Sequence, residues 1–331
     1  MRMVTYPALD AERLTALCEA AAIGVVNCAT EEEAVAAIDT AQSFFGKMTP
    51  AILAASEQLQ WVQSPTASLE HYLFPELIEH PCTLTNMRGL FSDVIADQVM
   101  GYVICFARNL HTYIRNQTTR RWAPQGGEQE RVKFSLGPGH ISAIDLAHPN
   151  LSDQTLGVIG LGAIGSEIAR RARAFGMRVV GVDRDEKNRA CVDELWRPTD
   201  LNMLLSTSHY VVIAAPHTPE TEGLFDGKRF AAMRDDAYLI NIGRGAIVRL
   251  DALVEALDSE QIRGAALDVY EVEPLPEDHP LWAFPNVILT PHVAGYSPRI
   301  AERHLTVLVE NTRRFVAGES LQNVVDKNLW Y

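Results

Sequence analysis

The chain has 331 residues, enough for about two domains, and 47% of them are hydrophobic, which suits folded cores and excludes a disordered protein. The net charge of −13, from 29 basic and 42 acidic residues, argues against a nucleic-acid partner, and no apolar stretch is long enough to span a membrane. The N-terminus lacks a signal-peptide pattern, and the five cysteines form no close pair or metal spacing. We therefore expect a cytoplasmic protein with reduced thiols and no metal site.

Helical and strand patterns alternate along the first hundred residues. Helices are expected over 14–22, 31–38 and 50–55, and strands over 23–26, 41–45, 59–63 and 82–85. Thr30 and Glu33 have the spacing of a capping box, and Thr49-Pro50 is a typical helix start. Such alternation predicts a parallel sheet with helices on both faces.

A long helical pattern over 92–110 predicts a bridge into a second domain. The stretch that follows, 117–150, is rich in glycine, proline and charge, and it is too long for an ordinary connection. Two interpretations stay open for it: an arm that reaches a second subunit, or a mobile surface excursion.

The most informative stretch is a glycine turn between an apolar strand, 155–159, and a helix, 166–174. Gly160 permits the tight turn, Gly162 lets a pyrophosphate approach the backbone, and Gly165 lets the helix lie close to the strand. The start of the helix offers free N–H groups to phosphates. A second apolar strand ends at Asp183, where a ribose hydroxyl is bound in such sites. The stretch predicts a dinucleotide site.

The alternation then resumes, with strands expected over 210–215, 237–241, 264–269 and 287–290 and a last helix over 297–315. We predict an α/β fold of two doubly wound parallel-sheet domains. A Rossmann cofactor domain, 104–296, is inserted into a flavodoxin-like substrate domain made of 1–103 and 297–331.

Three of the later strands are followed by side chains that are suited to substrate binding or acid–base catalysis. Arg244 stands between glycines after one strand, carboxylates fill 268–273 after the next, and His292 follows the last. Taken singly, these residues also suit a surface arginine, solvated acids and a packed histidine. A dehydrogenase of a keto acid needs such groups together: a cation for the carboxylate, an acid for the oxygen, and a carboxylate that keeps that acid charged.

The glycine turn, Asn241–Gly245, Asp268–Pro274 and Thr290–Gly295, in this order and spacing, resemble the D-isomer-specific 2-hydroxyacid dehydrogenase family. Residues 59–70 and 86–110 are similar to its glyoxylate/hydroxypyruvate reductase branch. The resemblance implies an active site between two domains and a homodimer formed through the cofactor domains. It makes Arg244 the binder of the substrate carboxylate, His292 the proton donor in reduction and Glu273 its charge partner.

The resemblance also implies an NAD cofactor, with NADP allowed because Arg184 follows Asp183. Asp268 would hold the nicotinamide carboxamide, and Glu271 would be a solvated neighbour. The expected cofactor contacts are Gly160, Gly162, Ala163, Ile164, Gly165, Asp183, Arg184, Ala215, Pro216, Thr221, Ile242, Gly243, Arg244, Asp268, His292 and Gly295.

The resemblance also implies a substrate loop, Ser64–Glu70, whose backbone N–H groups bind the substrate carboxylate, and this loop departs from the family pattern. Thr66, Ala67 and Ser68 stand where glycine or small residues are common, and Ser68 is expected to narrow the pocket for a small 2-keto or 2-hydroxy acid. Two alternatives remain open. One is a dehydrogenase of a phosphorylated 2-hydroxy acid, for which Lys47 and Arg88 are the candidate cations. The other is a nucleotide-sensing protein similar to a corepressor.

Overall fold

The computed structural model describes residues 1–20, 22–137 and 139–330, with the side chains of 132–135 left out. It divides into two compact units. The first consists of Met1–Phe91 and Ser297–Tyr331, and the second of Ser92–Tyr296, so the second unit is inserted into the chain of the first.

The first unit is a five-stranded parallel sheet with helices. Its elements are β1 (Arg2–Tyr6), α1 (Ala11–Ala20), β2 (Gly24–Asn27), α2 (Glu31–Ala37), β3 (Ser43–Gly46), α3 (Pro50–Ala54), β4 (Trp61–Gln63), α4 (Pro75–Glu79), β5 (Thr83–Thr85) and a C-terminal helix, Ile300–Ala317. The strand order is β2-β1-β3-β4-β5, the flavodoxin-like order.

Side chains from the two faces of this sheet enter two separate hydrophobic clusters. Met3 and Trp61 lie in one cluster, and their chain neighbours Val4 and Val62 lie in the other. Successive residues of a strand point to opposite faces, so this division follows from the pleat. Leu308 of the C-terminal helix packs into the first cluster.

The second unit is built on seven parallel strands. Its elements are α5 (Ser92–Ala107), α6 (Leu110–Thr118), α7 (Ala143–Ala147), β6 (Thr155–Ile159), α8 (Ala163–Ala174), β7 (Arg178–Val182), β8 (Glu194–Trp196), α9 (Leu201–Thr207), β9 (Tyr210–Ile213), α10 (Gly227–Ala231), β10 (Tyr238–Asn241), α11 (Leu250–Asp258), β11 (Gly264–Leu267) and β12 (Val287–Leu289). The order is β12-β11-β10-β9-β6-β7-β8. The predicted fold class, two doubly wound parallel-sheet domains, is confirmed.

The strand order reverses beside β6, which lies between β9 and β7. In open parallel sheets, ligands bind beyond the carboxyl ends of the strands at such a reversal. The glycine turn directly follows β6 and therefore occupies this position.

The first boundary between the units falls at 91/92, earlier than the expected 103/104. Val99 and Val103 of α5 belong to the same hydrophobic cluster as Ile168 and Ala172 of α8. The whole of α5 is therefore part of the second unit. The expected helix over 92–110 also ends sooner, at Ala107, because Asn109 adopts a left-handed conformation with φ 53°.

The stretch 117–150 is partly helical. It contains a 3₁₀ helix, Glu128–Leu136, and α7, whose start is capped reciprocally by Ser142 and Asp145. Across the described ranges, no helix is both long and apolar enough to cross a membrane. The five cysteines, all in those ranges, are free thiols.

Candidate active site

The turn after β6 has the geometry that its glycines require. Gly160 has a φ of +88°, and a Cβ added to it would lie 2.8 Å from the Ala215 Cα. A Cβ on Gly165 would lie 1.9 Å from the Gly160 oxygen. By contrast, a Cβ on Gly162 would meet nothing within 4 Å, so the backbone is open there. The chain is closely packed at Gly160 and Gly165 and open at Gly162, and this combination fits a bound pyrophosphate.

Helix α8 begins directly at this open side. Gly162 is its N-cap, and the N–H groups of Ala163 and Ile164 donate to no acceptor among the described residues. Free N–H groups and the positive end of the helix dipole favour an anion at this point. The residues present therefore fit the phosphates of a dinucleotide.

Asp183 ties the end of β7 to the glycine turn. Its Oδ2 accepts the Leu161 N–H at 2.5 Å, and its Oδ1 accepts the Asp185 N–H at 2.9 Å. The guanidinium of Arg184 lies 3.5 Å from the Glu220 carboxylate. The Thr218 hydroxyl, and less strongly Arg184, lower the pKa of Glu220, so this partner of Arg184 is anionic at neutral pH.

Two further loops complete the same edge of the sheet. After β9, the Thr221 hydroxyl donates to the Pro216 oxygen at 2.8 Å and closes the loop that begins at Ala215. After β10, a Cβ on Gly243 would lie 2.8 Å from the Ala215 oxygen, so the turn containing Ile242 and Gly243 packs against that loop.

Arg244 is placed by buried contacts of its backbone. The Asn241 side chain, fully buried, accepts the Gly243 N–H at 3.1 Å and donates to the Arg244 oxygen at 3.0 Å. A Cβ on Gly245 would lie 1.8 Å from the Tyr270 oxygen, so glycine is required for the Arg244 turn to pack on the loop after β11. The partly buried guanidinium donates to the Gly243 oxygen at 2.7 Å.

The structure brings His292 and Glu273 into direct contact. The His292 Nδ1 lies 2.8 Å from the Glu273 Oε2, and the two side chains are 49% and 37% exposed. The other carboxylate oxygen of Glu273 accepts the Tyr270 N–H at 3.0 Å. Because Nδ1 faces Glu273, Nε2 is the ring nitrogen left to face a substrate. The arrangement is that of an acid–base pair, in which the His292 Nε2 is the nitrogen that can exchange a proton with a bound molecule.

The two other acids of the 268–273 segment have structural contacts. Asp268 is 2% exposed, and its oxygens accept the N–H groups of Val293 and Ala294, each at 3.0 Å. Gly295 follows directly. Glu271, expected to be a solvated neighbour, also accepts the Leu250 N–H at 2.8 Å and so caps α11.

The substrate loop lies in the first unit, and its carbonyl groups are all occupied. The oxygens of residues 65–68 accept, in chain order, from the His304 ring, the Met87 N–H, the Asn86 amide and the Thr66 hydroxyl. Within the described part of the chain, the N–H groups of Ala67 and Ser68 find no acceptor. A row of free N–H groups is suited to an anion.

Non-glycine residues fit this loop without strain. None of Thr66, Ala67 and Ser68 has a positive φ, so glycine is not required there. The Ser68 hydroxyl donates to Glu70 at 2.6 Å. His304 is partly buried, and this burial lowers the pKa of its ring, which favours the neutral form that donates to the loop.

Taken together, the glycine turn and the acid–base pair define a dinucleotide-dependent oxidoreductase. Comparison with known proteins agrees: the family model "D-isomer specific 2-hydroxyacid dehydrogenase, NAD binding domain" matches residues 100–294. The chain belongs to the D-isomer specific 2-hydroxyacid dehydrogenase family, which confirms the resemblance seen in the motifs. It is an oxidoreductase with an NAD(P)-binding domain.

Individual relatives extend this result. The chain is 30% identical to a glyoxylate reductase of Thermofilum pendens, over 86% of this chain and 79% of that protein. It is 30% identical to a D-3-phosphoglycerate dehydrogenase of Methanocaldococcus jannaschii, over 98% of this chain and 59% of that protein. An NADPH-dependent glyoxylate/hydroxypyruvate reductase of Sinorhizobium meliloti, solved with NADP and sulfate, is 25% identical with a TM-score of 0.78, covering 100% of this chain and 99% of that one.

Proposed function

We propose that the protein reduces a small 2-keto acid, similar to glyoxylate or hydroxypyruvate, to the D-2-hydroxy acid and also catalyses the reverse oxidation. The observation that carries this proposal is the His292–Glu273 pair, 2.8 Å apart beyond the last strand of the dinucleotide-binding sheet. When bound, the reduced nicotinamide supplies the hydride. Protonated His292 gives its Nε2 proton to the keto oxygen, and Glu273 stabilises the imidazolium.

The substrate carboxylate has two sources of recognition in this proposal. Arg244 offers a planar, permanently charged fork, which suits a carboxylate and polarises the neighbouring keto oxygen. The free N–H groups of Ala67 and Ser68 are the second source.

A dehydrogenase of a phosphorylated 2-hydroxy acid is the second candidate, because the M. jannaschii relative is a D-3-phosphoglycerate dehydrogenase. Glu70, hydrogen-bonded to Ser68 in the substrate loop, weighs against it, since a carboxylate there repels a doubly charged phosphate more strongly than a singly charged carboxylate. Lys47 and Arg88, the cations that this candidate needs, are both exposed.

A panel of 2-keto acids with NADH and NADPH tests the function, with 3-phosphohydroxypyruvate included. Oxidation of the reduced nucleotide with glyoxylate or hydroxypyruvate supports the proposal. Preference for the phosphorylated acid supports the second candidate. Tight NADH binding without turnover of any acid contradicts both and supports a nucleotide sensor.

We further propose that NAD(H) is preferred over NADP(H). Asp183 accepts from the ribose hydroxyls and repels a 2′-phosphate, while Arg184 is held near Glu220. We expect a higher kcat/KM with NADH than with NADPH. Glu220→Gln should raise the relative use of NADPH about two- to fivefold by releasing Arg184, the range of an exposed ion pair. Glu222→Gln, in the same loop, is the matched control. A wild-type preference for NADPH contradicts the assignment.

We also propose that the segment 117–150 helps to form a homodimer. Trp122, Leu136, Ile141 and Leu146 are 78%, 68%, 69% and 71% exposed, and the segment lines most of a cavity of about 1520 Å³. Apolar side chains in such numbers are suited to a partner surface. The side chains of Val132 and Phe134, two further apolar residues of this segment, lie outside the described residues.

Light scattering after size exclusion tests the dimer. The wild type should elute as a dimer, and Ile141→Asp should weaken it, because a charge in a buried interface is costly. Met203→Asp, at an apolar residue 55% exposed on α9, is the matched control and should remain dimeric. A monomeric wild type would end this proposal.

A further inference from the structure

The loop that carries His292 is anchored on both sides of a strained residue. His292 has a φ of +53°, a left-handed conformation that is strained for a residue other than glycine. Such a residue persists only when its neighbours hold it. On its C-terminal side, Asp268 holds the N–H groups of Val293 and Ala294. On its N-terminal side, Thr290 is held through both its side chain and its backbone.

The hydrogen bonds at Thr290 form a chain in which the donor and the acceptor of each bond can be assigned. The Gln98 amide donates to the Tyr102 hydroxyl at 3.0 Å, and the Tyr102 hydroxyl lies 2.5 Å from the Thr290 Oγ1. The Thr290 hydroxyl is also 2.5 Å from the Asp268 Oδ1. A carboxylate only accepts, so the Thr290 proton points to Asp268. The Tyr102 proton must then point to Thr290.

Tyr102 is well suited to its place in the chain. It is 3% exposed on α5, and burial raises the pKa of its hydroxyl, which therefore remains a donor at neutral pH. Tyr270 supports the same residue from the other side, since its hydroxyl lies 2.9 Å from the Thr290 oxygen. Among these contacts, the Tyr102 hydroxyl is thus the one group that donates a hydrogen bond to the Thr290 Oγ1.

We propose that Tyr102 is a positioning residue for His292, acting through Thr290 and Asp268. Loss of the Tyr102 hydroxyl leaves the Thr290 oxygen without its donor and loosens the bond from Thr290 to the Asp268 carboxylate. The loop then relaxes, and the His292 ring moves relative to Glu273. The substrate clamp at Arg244 and the glycine turn do not depend on this chain. The inference rests on the proposed function in one respect, that His292 is the proton donor.

Four variants test the chain in the full-length protein: Tyr102→Phe, Thr290→Val, Thr290→Ser and, as a control, Tyr210→Phe. Tyr210 is a tyrosine of the same unit with 1% exposure. Tyr102→Phe and Thr290→Val should lower kcat for keto-acid reduction by up to about 100-fold with little change in KM, the effect of a misplaced catalytic group. Thr290→Ser, which keeps the hydroxyl, should retain most of the wild-type kcat, and Tyr210→Phe should leave kcat unchanged.

A second measurement does not depend on turnover. In protein labelled with ¹³C at histidine Cε1, the His292 signal is identified by its loss in His292→Gln. Tyr102→Phe and Thr290→Val should shift or broaden that signal, and Thr290→Ser and Tyr210→Phe should not. An unchanged His292 signal in Tyr102→Phe, together with wild-type kcat, overturns the inference. A wild type that turns over no keto acid contradicts the proposed function instead, and the signal alone then decides whether Tyr102 positions the loop.

Discussion

Replacement of Arg244 by lysine should lower kcat/KM for the keto acid by about 10- to 100-fold, the loss expected when a charge-assisted hydrogen bond is removed. Lysine keeps the positive charge but loses the planar fork that meets both oxygens of a carboxylate. Arg244→Ala loses the charge as well, so its effect should be larger. NADH affinity should fall far less than kcat/KM in both variants, because the phosphate and ribose contacts at the glycine turn after β6 and at Asp183 are untouched.

Steady-state kinetics with the preferred keto acid, and NADH titration by fluorescence, make this comparison. Arg249→Lys is the matched control: it is the same substitution five residues further along, at a side chain 58% exposed beside Asp251. The control should keep wild-type kinetics. If Arg244→Ala binds and reduces the keto acid normally, the clamp lies elsewhere, and Arg88 is the next cation to test.

The sequence predicts the second unit closely because the patterns that indicate its elements lie within short stretches of the chain. The glycine turn needs a positive φ at Gly160 and a close backbone approach at Gly165, and glycine is the residue that allows both. The strands of this unit are short apolar runs that end at punctuating residues, as at Pro216 and Pro291. Both kinds of signal are readable from one sequence.

The sequence does not predict elements that lack such signals. Strand β1, Arg2–Tyr6, pairs with both β2 and β3 in the middle of the first sheet, yet it has only five residues, and the first of them is charged. Strand β8, Glu194–Trp196, has three residues of mixed polarity. Their pairing with neighbours distant in the chain decides their structure, and a local pattern does not contain that information.

The residues of the candidate site also divide into those that the sequence predicts and those that only the fold brings together. The positions of Arg244, Glu273 and His292 after strands, together with the family resemblance, predict them as site residues, and the structure places Glu273 2.8 Å from His292. The link from Tyr102 to Thr290 joins residues 188 positions apart, and nothing in the helical pattern of α5 distinguishes Tyr102 from its apolar neighbours. Contacts of this kind are a property of the fold.

Removal of the His292 imidazole should have a similarly large effect, in both directions of the reaction. His292→Gln should lower reduction of the keto acid and oxidation of the hydroxy acid by about 10²- to 10⁴-fold, the usual contribution of a general acid or base. NADH should still bind, because its phosphate and ribose contacts lie in other loops. Normal turnover in His292→Gln would show that another group handles the proton.

Glu273→Gln separates the charge of this pair from its shape. Reduction needs the protonated imidazole and oxidation needs the neutral one, and a neighbouring carboxylate favours the protonated form. With that charge removed, the protonated imidazole loses the partner that stabilises it. The alkaline limit of reduction should therefore move to lower pH, while oxidation extends further into the acid range.

The measurement is a pH–rate profile in both directions for the wild type, Glu273→Gln and Glu271→Gln. Glu271 is the matched control, since it lies two residues away and its contact is with the Leu250 N–H, which a glutamine oxygen also accepts. Its profile should coincide with that of the wild type. Because the Glu273 and His292 side chains are 37% and 49% exposed, solvent screens their attraction, and the displacement of the profile should shrink at high salt. Coincident profiles for Glu273→Gln and the wild type at low salt would mean that Glu273 is not the partner that keeps His292 charged.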